Sequence, residues 1–389
     1  MGTESIMFSL IRSEICGIAL EESIKTELSA KIGKELFVLS NKHDVAHIVA
    51  SALFKNELLD EEDISAAFKK VLMMAVYRDV QREYSLKEVS AILEKANVLH
   101  ILLKGAILRK YYPQTWMRTS CDVDVLVKNE DIDCAINALC EAGYVRVEDA
   151  STHDYNLISP NKFHIELHYT LSQDGEFANA DAILNEIWNN AFLIENSKCL
   201  YQLPAEQFIL YHLVHMGRHL LHGGCGVRPF IDLWLLENKM RYNESKLKGI
   251  LLNTGLVSLY DTASDLGKVW LENKEHTEQT RLLEEYILSG GVYGNSRNSA
   301  KVQVANGVSK TKSFLNLMFL SRENLEVLYP ILKKHPAMFP LYQIKRWFRI
   351  FNKKKRDKVK HLTKTRNNID QESANTTKVM LEYLGLLNK

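Results

Sequence analysis

The sequence lacks several features that would place it in a specialised class of protein. None of its six cysteines forms a Cys-x-x-Cys pair, so neither a zinc site nor a disulfide framework is expected. No run of 18 apolar residues occurs, which predicts that no segment is transmembrane. The acidic N-terminus lacks the basic start and cleavage site of a secretory signal. We therefore expect a cytoplasmic protein with reduced thiols.

Motifs of several common enzyme classes are also absent. The chain has no G-x-S-x-G nucleophile elbow and no kinase signature set. Its glycine-rich segment at 223–226 lacks the Lys-Ser/Thr of a P-loop and is more typical of a helix terminator. The net charge is +1, so any binding of polyanions must rest on local charge.

The 389 residues, 46% hydrophobic and 25% charged, are typical of a globular protein with two or three packed units. Residues 1–97 have helical periodicity and predict a helical N-terminal cap, with a long helix from Asp60 to Lys95 that breaks near Ser85. Residues 201–389 predict a helical C-terminal region.

The middle of the chain, residues 98–200, has a different pattern. The short apolar run VLHILLKG and the alternating runs DVDVLV and KFHIELHYTL predict strands, and helical segments lie between them. Strand, helix, strand, helix, strand indicates a sheet with packed helices. The fold class predicted for the whole chain is α+β: a small mixed β-sheet flanked by helical N-terminal and C-terminal regions.

Paired carboxylates in the second of these strands carry the main chemical signal. Asp122 and Asp124 are separated by one residue, and strand alternation places both on one face. Two adjacent anions repel each other, and a bound cation relieves that repulsion. Oxygen ligands of this kind suit Mg²⁺, with Mn²⁺ as the alternative.

A third carboxylate is available on the last strand. Glu166 shares a face with His164 and His168, and pairing beside DVDVLV would bring it to the two aspartates. The three acids would then hold two metal ions for an in-line phosphoryl displacement. In this hypothesis Asp122, Asp124 and Glu166 are both catalytic and metal-binding residues, and Glu166 helps to deprotonate the nucleophile.

Positive charge and backbone N–H groups precede this pair. Gly105 ends the first strand and permits close approach of a phosphate, and Lys104 adds a compact charge. Arg118, four residues before Asp122, is placed to bind triphosphate oxygens. The alternative for both basic residues is an ordinary solvated surface charge.

Together these strings resemble an uncharacterised bacterial nucleotidyltransferase family within the DNA polymerase β-like superfamily. The resemblance lies in LLKGAILRKYYP, RTSCDVDVLV and HIELH and covers roughly residues 90 to 240. It implies Mg²⁺-dependent transfer of a nucleoside monophosphate from a nucleoside triphosphate. The sequence departs from the superfamily pattern at Ala106, where a phosphate-contacting hydroxyl is expected.

Downstream residues extend the resemblance. The segment containing H-x-x-R-H and R-P-F-I-D-L is similar to the helical region that follows the catalytic domain in the same family, which implies nucleotide or acceptor contacts for His215, Arg228 and Asp232. His212, His215, His219 and His222 also form a stripe at helical spacing. Zinc binding and a helix face that lines the cleft are both compatible with that stripe.

The segment 341–366 contains 11 Lys and Arg with one acid, interleaved with aromatic residues. It has three interpretations: an interfacial helix on anionic lipid, a nucleic-acid contact, or a packing helix with a solvated basic tail. For the whole chain, the leading hypothesis is a nucleotidyltransferase acting on an unidentified small molecule, sugar, protein or RNA end. The alternatives are a catalytically weak or inactive nucleotide-binding module and a membrane-surface partner protein.

Overall fold

The protein is mostly helical and contains one β-sheet, which confirms the predicted α+β class. The computed structural model describes residues 2–28, 30–59, 62–147, 153–172, 175–329, 331–350 and 353–387. Within these residues, no helix is both long enough and apolar enough to cross a membrane.

Five helices precede the sheet. They are α1 (Thr3–Cys16), α2 (Glu22–Glu27), α3 (Ala30–Lys42), α4 (Ala46–Lys55) and α5 (Glu62–Lys95). The prediction of a helix break near Ser85 is wrong, because α5 is continuous over 34 residues. Ser85 is buried on the same face as Leu86 and Val89, so it packs within the helix rather than starting a new one.

The sheet has seven strands in the described residues. They are β1 (His100–Leu102), β2 (Asp122–Val127), β3 (Val145–Arg146), β4 (Asp154–Ile158), β5 (His164–His168), β6 (Phe192–Leu193) and β7 (Leu200–Gln202). Their spatial order is β3-β4-β5-β2-β1-β7-β6. The pairs β2–β5 and β1–β7 are parallel, and the others are antiparallel, so the sheet is mixed.

Short helices connect the strands. They are α6 (Gly105–Leu108), α7 (Ile132–Glu141) and α8 (Ala178–Asn185), with 3-10 turns at Arg109–Tyr111, Thr115–Met117, Asn129–Asp131 and Ile187–Asn189. The helical segment predicted between the first two strands is only one α-helical turn followed by a 3-10 turn. Tyr112 is already extended, as expected for a residue that precedes proline.

The remaining elements are helical, as predicted. They are α9 (Ala205–Leu221), α10 (Arg228–Lys239), α11 (Glu244–Thr254), α12 (Val257–Glu272), α13 (Glu278–Gly290), α14 (Ser296–Ala305), α15 (Lys310–Met318), α16 (Arg322–Leu328), α17 (Ile331–Lys334), a 3-10 turn at Pro336–Met338, α18 (Phe339–Ile350), α19 (Lys353–Asn367) and α20 (Gln371–Tyr383). The glycines that follow α9 adopt positive φ, which ends that helix.

The two faces of the sheet pack into different hydrophobic clusters. Val123, Val125 and Val127 of β2 lie in a cluster with residues of α5 and α7. Leu126 lies in a larger cluster that includes residues from α1, α9 and α20. Alternation along β2 therefore directs Asp122 and Asp124 to the face covered by the larger cluster. The division into 1–97, 98–200 and 201–389 remains a prediction.

Candidate active site

The acidic residues of β2 and β5 lie side by side in the sheet. The two strands are parallel neighbours, with Asp124 opposite Glu166 and Asp122 opposite His164. The Asp124 side chain is almost completely buried, whereas Asp122 and Glu166 are partly accessible. One buried and two accessible carboxylates at the end of a strand pair form a concentrated negative charge.

Lys104 supplies the nearest positive charge. Its Nζ lies 2.6 Å from Asp124 Oδ1 and 3.9 Å from Glu166 Oε2. Its backbone has φ 38° and ψ −115°, an unfavourable conformation for a residue with a side chain. Strain of this kind at the residue that holds the two carboxylates together is typical of a functional position.

Electrostatics in this group favour the charged forms of Lys104 and Asp124. Burial opposes the charge on Lys104, but the Asp124 carboxylate outweighs it and raises the lysine pKa well above its usual range. Burial likewise acts to raise the Asp124 pKa, but Lys104 and the hydrogen bond from His168 hold that pKa far below its usual range. Both groups are therefore ionised at neutral pH.

His168 is a site residue to which the sequence analysis assigned no role. Its Nε2 lies 3.0 Å from Asp124 Oδ1 and 3.5 Å from Glu166 Oε2. Ligand atoms of Asp124, Glu166 and His168 all lie within 4.8 Å of one another, as a shared metal ion requires. The signal was present in the alternation of HIELH, which places His168 and Glu166 on one face.

Asp122 lies outside that trio. Its Oδ1 accepts a short hydrogen bond from Ser120 Oγ, which also donates to the Asp122 carbonyl. Of the three carboxylates that were predicted to hold two metal ions, Asp124 and Glu166 belong to the trio and Asp122 does not. Asp122 would add a partly accessible carboxylate to this group.

Gly105 allows the turn after β1 to lie close to the loop before β2. A Cβ at position 105 would lie 3.2 Å from Ser120 Cβ and 3.4 Å from its Oγ, which is tighter than ordinary side-chain contact. The Ser120 hydroxyl therefore lies beside the predicted phosphate loop, next to Ala106. The same hydroxyl donates to Asp122 Oδ1, so it links this turn to the acidic group.

Arg118 and Asp232 pair with each other. Arg118 Nε donates to both Asp232 oxygens at 2.8 and 3.0 Å, and the Tyr112 hydroxyl donates to Asp232 Oδ1 at 2.8 Å. Asp232 is fully buried. These bonds attach the loop before β2 to α10, and nucleotide binding by either residue remains a prediction.

The same loop is fixed by other long-range contacts. Arg228 Nη1 lies 2.6 Å from Asp44 Oδ2 and donates to the Thr119 carbonyl. Buried Arg82 of α5 donates to the carbonyls of Arg118 and Ser120, each at 2.8 Å. The loop 117–121, which leads directly into Asp122, is therefore held by residues from α5 and α10.

His215 lies on α9, within the electrostatic influence of Lys104 and Asp124. Its Nε2 is 3.1 Å from His219 Nε2, and its ring lies 6.4 Å from that of Tyr211. Burial, and next the positive charge of Lys104, hold the pKa of His215 well below its usual value. A neutral imidazole next to Lys104 can accept or donate one hydrogen bond to a substrate.

The histidine stripe does not form a metal trio. His212 Nε2 bonds the Pro229 carbonyl, and His222 lies 3.2 Å from Glu176. In the described part of the chain, two groups of three potential ligands meet the distance requirement, and neither includes a histidine of the stripe. The second group is His153, Asp154 and His168, which shares His168 with the first.

The donor set of the first trio suits a divalent cation. Two carboxylate oxygens and one imidazole nitrogen lie close enough to share an ion, and the carboxylate of Asp122 is adjacent. When bound, such a cation neutralises the phosphate charge that develops during phosphoryl transfer. The residues present therefore fit a divalent cation, as the resemblance implies.

A family model for an uncharacterised nucleotidyltransferase matches residues 33–260. The match covers more than half of the chain and includes α5, the strands that bear Asp122, Asp124 and Glu166, and helices α9 and α10. It thus extends beyond the 90 to 240 range of the sequence resemblance. No match was found among curated proteins or solved structures. The chain therefore belongs to this family of uncharacterised nucleotidyltransferases.

Proposed function

We propose that the protein transfers a nucleoside monophosphate from a nucleoside triphosphate to an acceptor hydroxyl, releasing pyrophosphate in a metal-dependent reaction. The observation that carries this proposal is the pairing of Asp124 with Glu166 across β2 and β5, beside Asp122 and Lys104. We assign the chain to the DNA polymerase β-like superfamily on the same basis. The acceptor is a small molecule, a sugar, a protein side chain or an RNA end.

Each residue has a separate task in this proposal. Asp122, Asp124 and Glu166 hold the divalent metal, Mg²⁺ or Mn²⁺, which offsets charge on the phosphate oxygens. Lys104 and the backbone at Gly105 bind the β- or γ-phosphate, which requires the lysine ammonium to move off Asp124. His215, Arg228, Arg118 and Asp232 line or support the nucleotide and acceptor region.

The bond changes are those of an in-line displacement. The acceptor oxygen attacks the α-phosphorus, and the bond from that phosphorus to the bridging oxygen breaks as pyrophosphate leaves. The acceptor proton passes to the Glu166 carboxylate. A hydrogen bond from His168 lowers the pKa of Glu166, but burial and the charge of Asp124 raise it above its ordinary value, which favours proton uptake.

The proposal is tested by pyrophosphate release. Purified protein is incubated with each nucleoside triphosphate, Mg²⁺ or Mn²⁺, and a panel of hydroxyl acceptors. Asp124→Asn should reduce release by at least about 10³-fold, because it removes an anionic ligand of the metal that would offset the charge of the phosphates. Asp133→Asn, an exposed aspartate of α7, is the matched control and should retain wild-type activity.

Two outcomes decide between the enzyme and the nucleotide-binding module. Metal-dependent nucleotide binding without release, with every acceptor class tried, would favour the module, in which Ala106 removes the loop hydroxyl. Release that persists in Asp124→Asn would place the chemistry elsewhere in the molecule.

We also propose a weak contact of the basic segment 341–366 with anionic membrane surfaces. Leu341, Ile344 and Phe348 are exposed at helical spacing on α18, which is the apolar stripe of an interfacial helix. Phe351 and residue 352 lie outside the described residues. Cosedimentation with phosphatidylserine vesicles should fall when Phe348 is changed to Ser, whereas nucleic-acid binding would favour the polyanion interpretation.

A further inference from the structure

We infer that His168 is a direct ligand of the metal ion and that its imidazole makes the site select Mn²⁺ over Mg²⁺. The inference rests on the proposed function, because it concerns the same cation position. It adds a nitrogen ligand to a site for which the sequence predicts carboxylates alone.

The distances within the trio are those of ligands that share one ion. Ligand atoms about 2.1 Å from an ion are about 3.0 Å apart when they are neighbours in an octahedron and about 3.4 Å apart in a tetrahedron. His168 Nε2 lies 3.0 Å from Asp124 Oδ1 and 3.5 Å from Glu166 Oε2. An ion could therefore bind all three atoms once the Lys104 ammonium, whose Nζ lies 2.6 Å from Asp124 Oδ1, moves aside.

The position of the imidazole in the fold supports a fixed role. His168 is 2% exposed and lies on β5 two residues after Glu166, so strand alternation brings both side chains to the same face. Pairing of β5 with β2 fixes Asp124 opposite Glu166. Three ligands on two paired strands need no loop rearrangement to meet.

Nitrogen changes the metal preference. Mg²⁺ is a hard ion that prefers oxygen ligands and retains its waters, whereas Mn²⁺ accepts both carboxylate and imidazole. A site with one imidazole and two carboxylates should therefore bind Mn²⁺ at least about tenfold more tightly than Mg²⁺. Removal of the imidazole should reduce that ratio and leave a weaker oxygen site.

A different role for His168 makes a different prediction. If it only donates a hydrogen bond to Asp124 and orients that carboxylate, then no nitrogen would bind the metal. The trio of His153, Asp154 and His168 is the other alternative, although His153 Nε2 already lies 2.8 Å from Asp154 Oδ2. Nitrogen coupling distinguishes the first alternative, and comparison of Asp124→Asn with Asp154→Asn distinguishes the second.

The experiment uses the full chain with Mn²⁺ alone as the probe. Electron paramagnetic resonance titration gives the Mn²⁺ dissociation constant, and competition gives that of Mg²⁺. Spin-echo modulation then reports whether ¹⁴N is bound directly to Mn²⁺. We expect nitrogen coupling in the wild type, and its loss in His168→Gln together with a roughly tenfold weaker Mn²⁺ affinity.

His164→Gln is the matched control. It lies on the same strand and face, but it is exposed and is not part of either trio. It should retain both the nitrogen coupling and the wild-type preference for Mn²⁺. Because the coupling is measured on the wild-type protein, the test does not depend on the folding of a variant.

Three results would overturn the inference. These are Mn²⁺ bound without nitrogen coupling, an unchanged Mn²⁺ to Mg²⁺ ratio in His168→Gln, and coupling that survives Asp124→Asn but disappears in Asp154→Asn. Pyrophosphate release is measured separately. Release without nitrogen coupling would reject the ligand role of His168 and leave the proposed function intact. Nitrogen coupling without release would support the ligand role and count against the proposed function.

Discussion

At the scale of single residues, Lys104 has two electrostatic tasks that compete. Its ammonium lies between two carboxylates, where it neutralises Asp124 and repels any dication that approaches. In the proposed reaction the same charge is needed by the triphosphate. The residue can serve each partner in turn if its ammonium moves off Asp124 when the triphosphate binds.

Lys104→Met separates these tasks. Loss of the positive charge should tighten Mn²⁺ binding by about tenfold, because the ion no longer competes with an ammonium for Asp124. Nucleoside triphosphate should bind more weakly, because a phosphate contact is lost. Isothermal titration calorimetry with each ligand checks both directions.

Lys110→Met is the control for that change, because Lys110 is exposed and lies only six residues later. It should leave both affinities unaltered. Weaker metal binding in Lys104→Met would show that the lysine organises the carboxylates rather than competing for them.

At the scale of elements, the loop 117–121 is the most constrained connection of the site. Its carbonyl groups accept hydrogen bonds from Arg82 of α5 and Arg228 of α10, and His47 Nε2 of α4 donates to the Met117 carbonyl at 2.8 Å. Burial, with the neighbouring charges of Arg109 and Arg118, lowers the pKa of Arg82 to about 10. Arg82 therefore stays cationic at neutral pH and donates continuously to the loop.

Arg82→Met should destabilise both the fold and the site. It leaves the carbonyls of Arg118 and Ser120 without their donors, at a cost of about 3 kcal/mol in the free energy of unfolding. Movement of the loop also displaces Asp122, so pyrophosphate release should fall by about tenfold or more. Urea denaturation and initial rates measure the two effects.

Arg78→Met tests whether any arginine of α5 has this effect. Arg78 lies one turn earlier on the same helix and is exposed, so its loss should cost less than about 0.5 kcal/mol. Equal destabilisation by both changes would contradict a specific role for Arg82.

The strands of the sheet differ in whether they could be predicted from the sequence. The strands β2 and β5 were predictable because apolar and polar residues alternate over four positions in β2 and over five in β5. β4 was not, because Asp154 and Asn156 are poor strand formers and the strand exists through its pairing with β5. The pair of Arg118 with Asp232 joins residues 114 positions apart, which no local pattern can indicate.

At the scale of the whole molecule, the core joins the helices before and after the sheet. Residues of α1, α4, α9, α12 and α20 lie in one hydrophobic cluster with β1 residue Ile101. Helices from both regions therefore pack in the cluster that also contains a strand of the site. Burial of polar groups in this cluster affects the stability of the entire chain. His43 and His47, at the junction of α3 and α4, are two such groups.

Burial lowers the pKa of both histidines to about 4. For His47, the hydrogen bond to the Met117 carbonyl and the negative charge of Asp44 act to raise the pKa. The positive charges of Arg228 and Arg118 lower it further. The unfolded chain has a histidine pKa near 6.5, so it binds more protons than the native state between pH 6.5 and about 4. Stability is therefore fully present above pH 6.5 and is lost as pH falls through this window.

The 1.5 pH units between pH 6.5, the histidine pKa in the unfolded chain, and pH 5 correspond to about 2 kcal/mol. Each buried histidine should therefore lower the free energy of unfolding by about 2 kcal/mol at pH 5 relative to pH 7.5. His47→Gln retains a donor for the Met117 carbonyl but cannot become charged. The difference in unfolding free energy between pH 7.5 and pH 5.0 should thus shrink by about 2 kcal/mol in this variant. His361→Gln, an exposed control, should leave the difference unchanged. An undiminished pH dependence in His47→Gln would mean that the acid sensitivity of the fold originates in other buried groups.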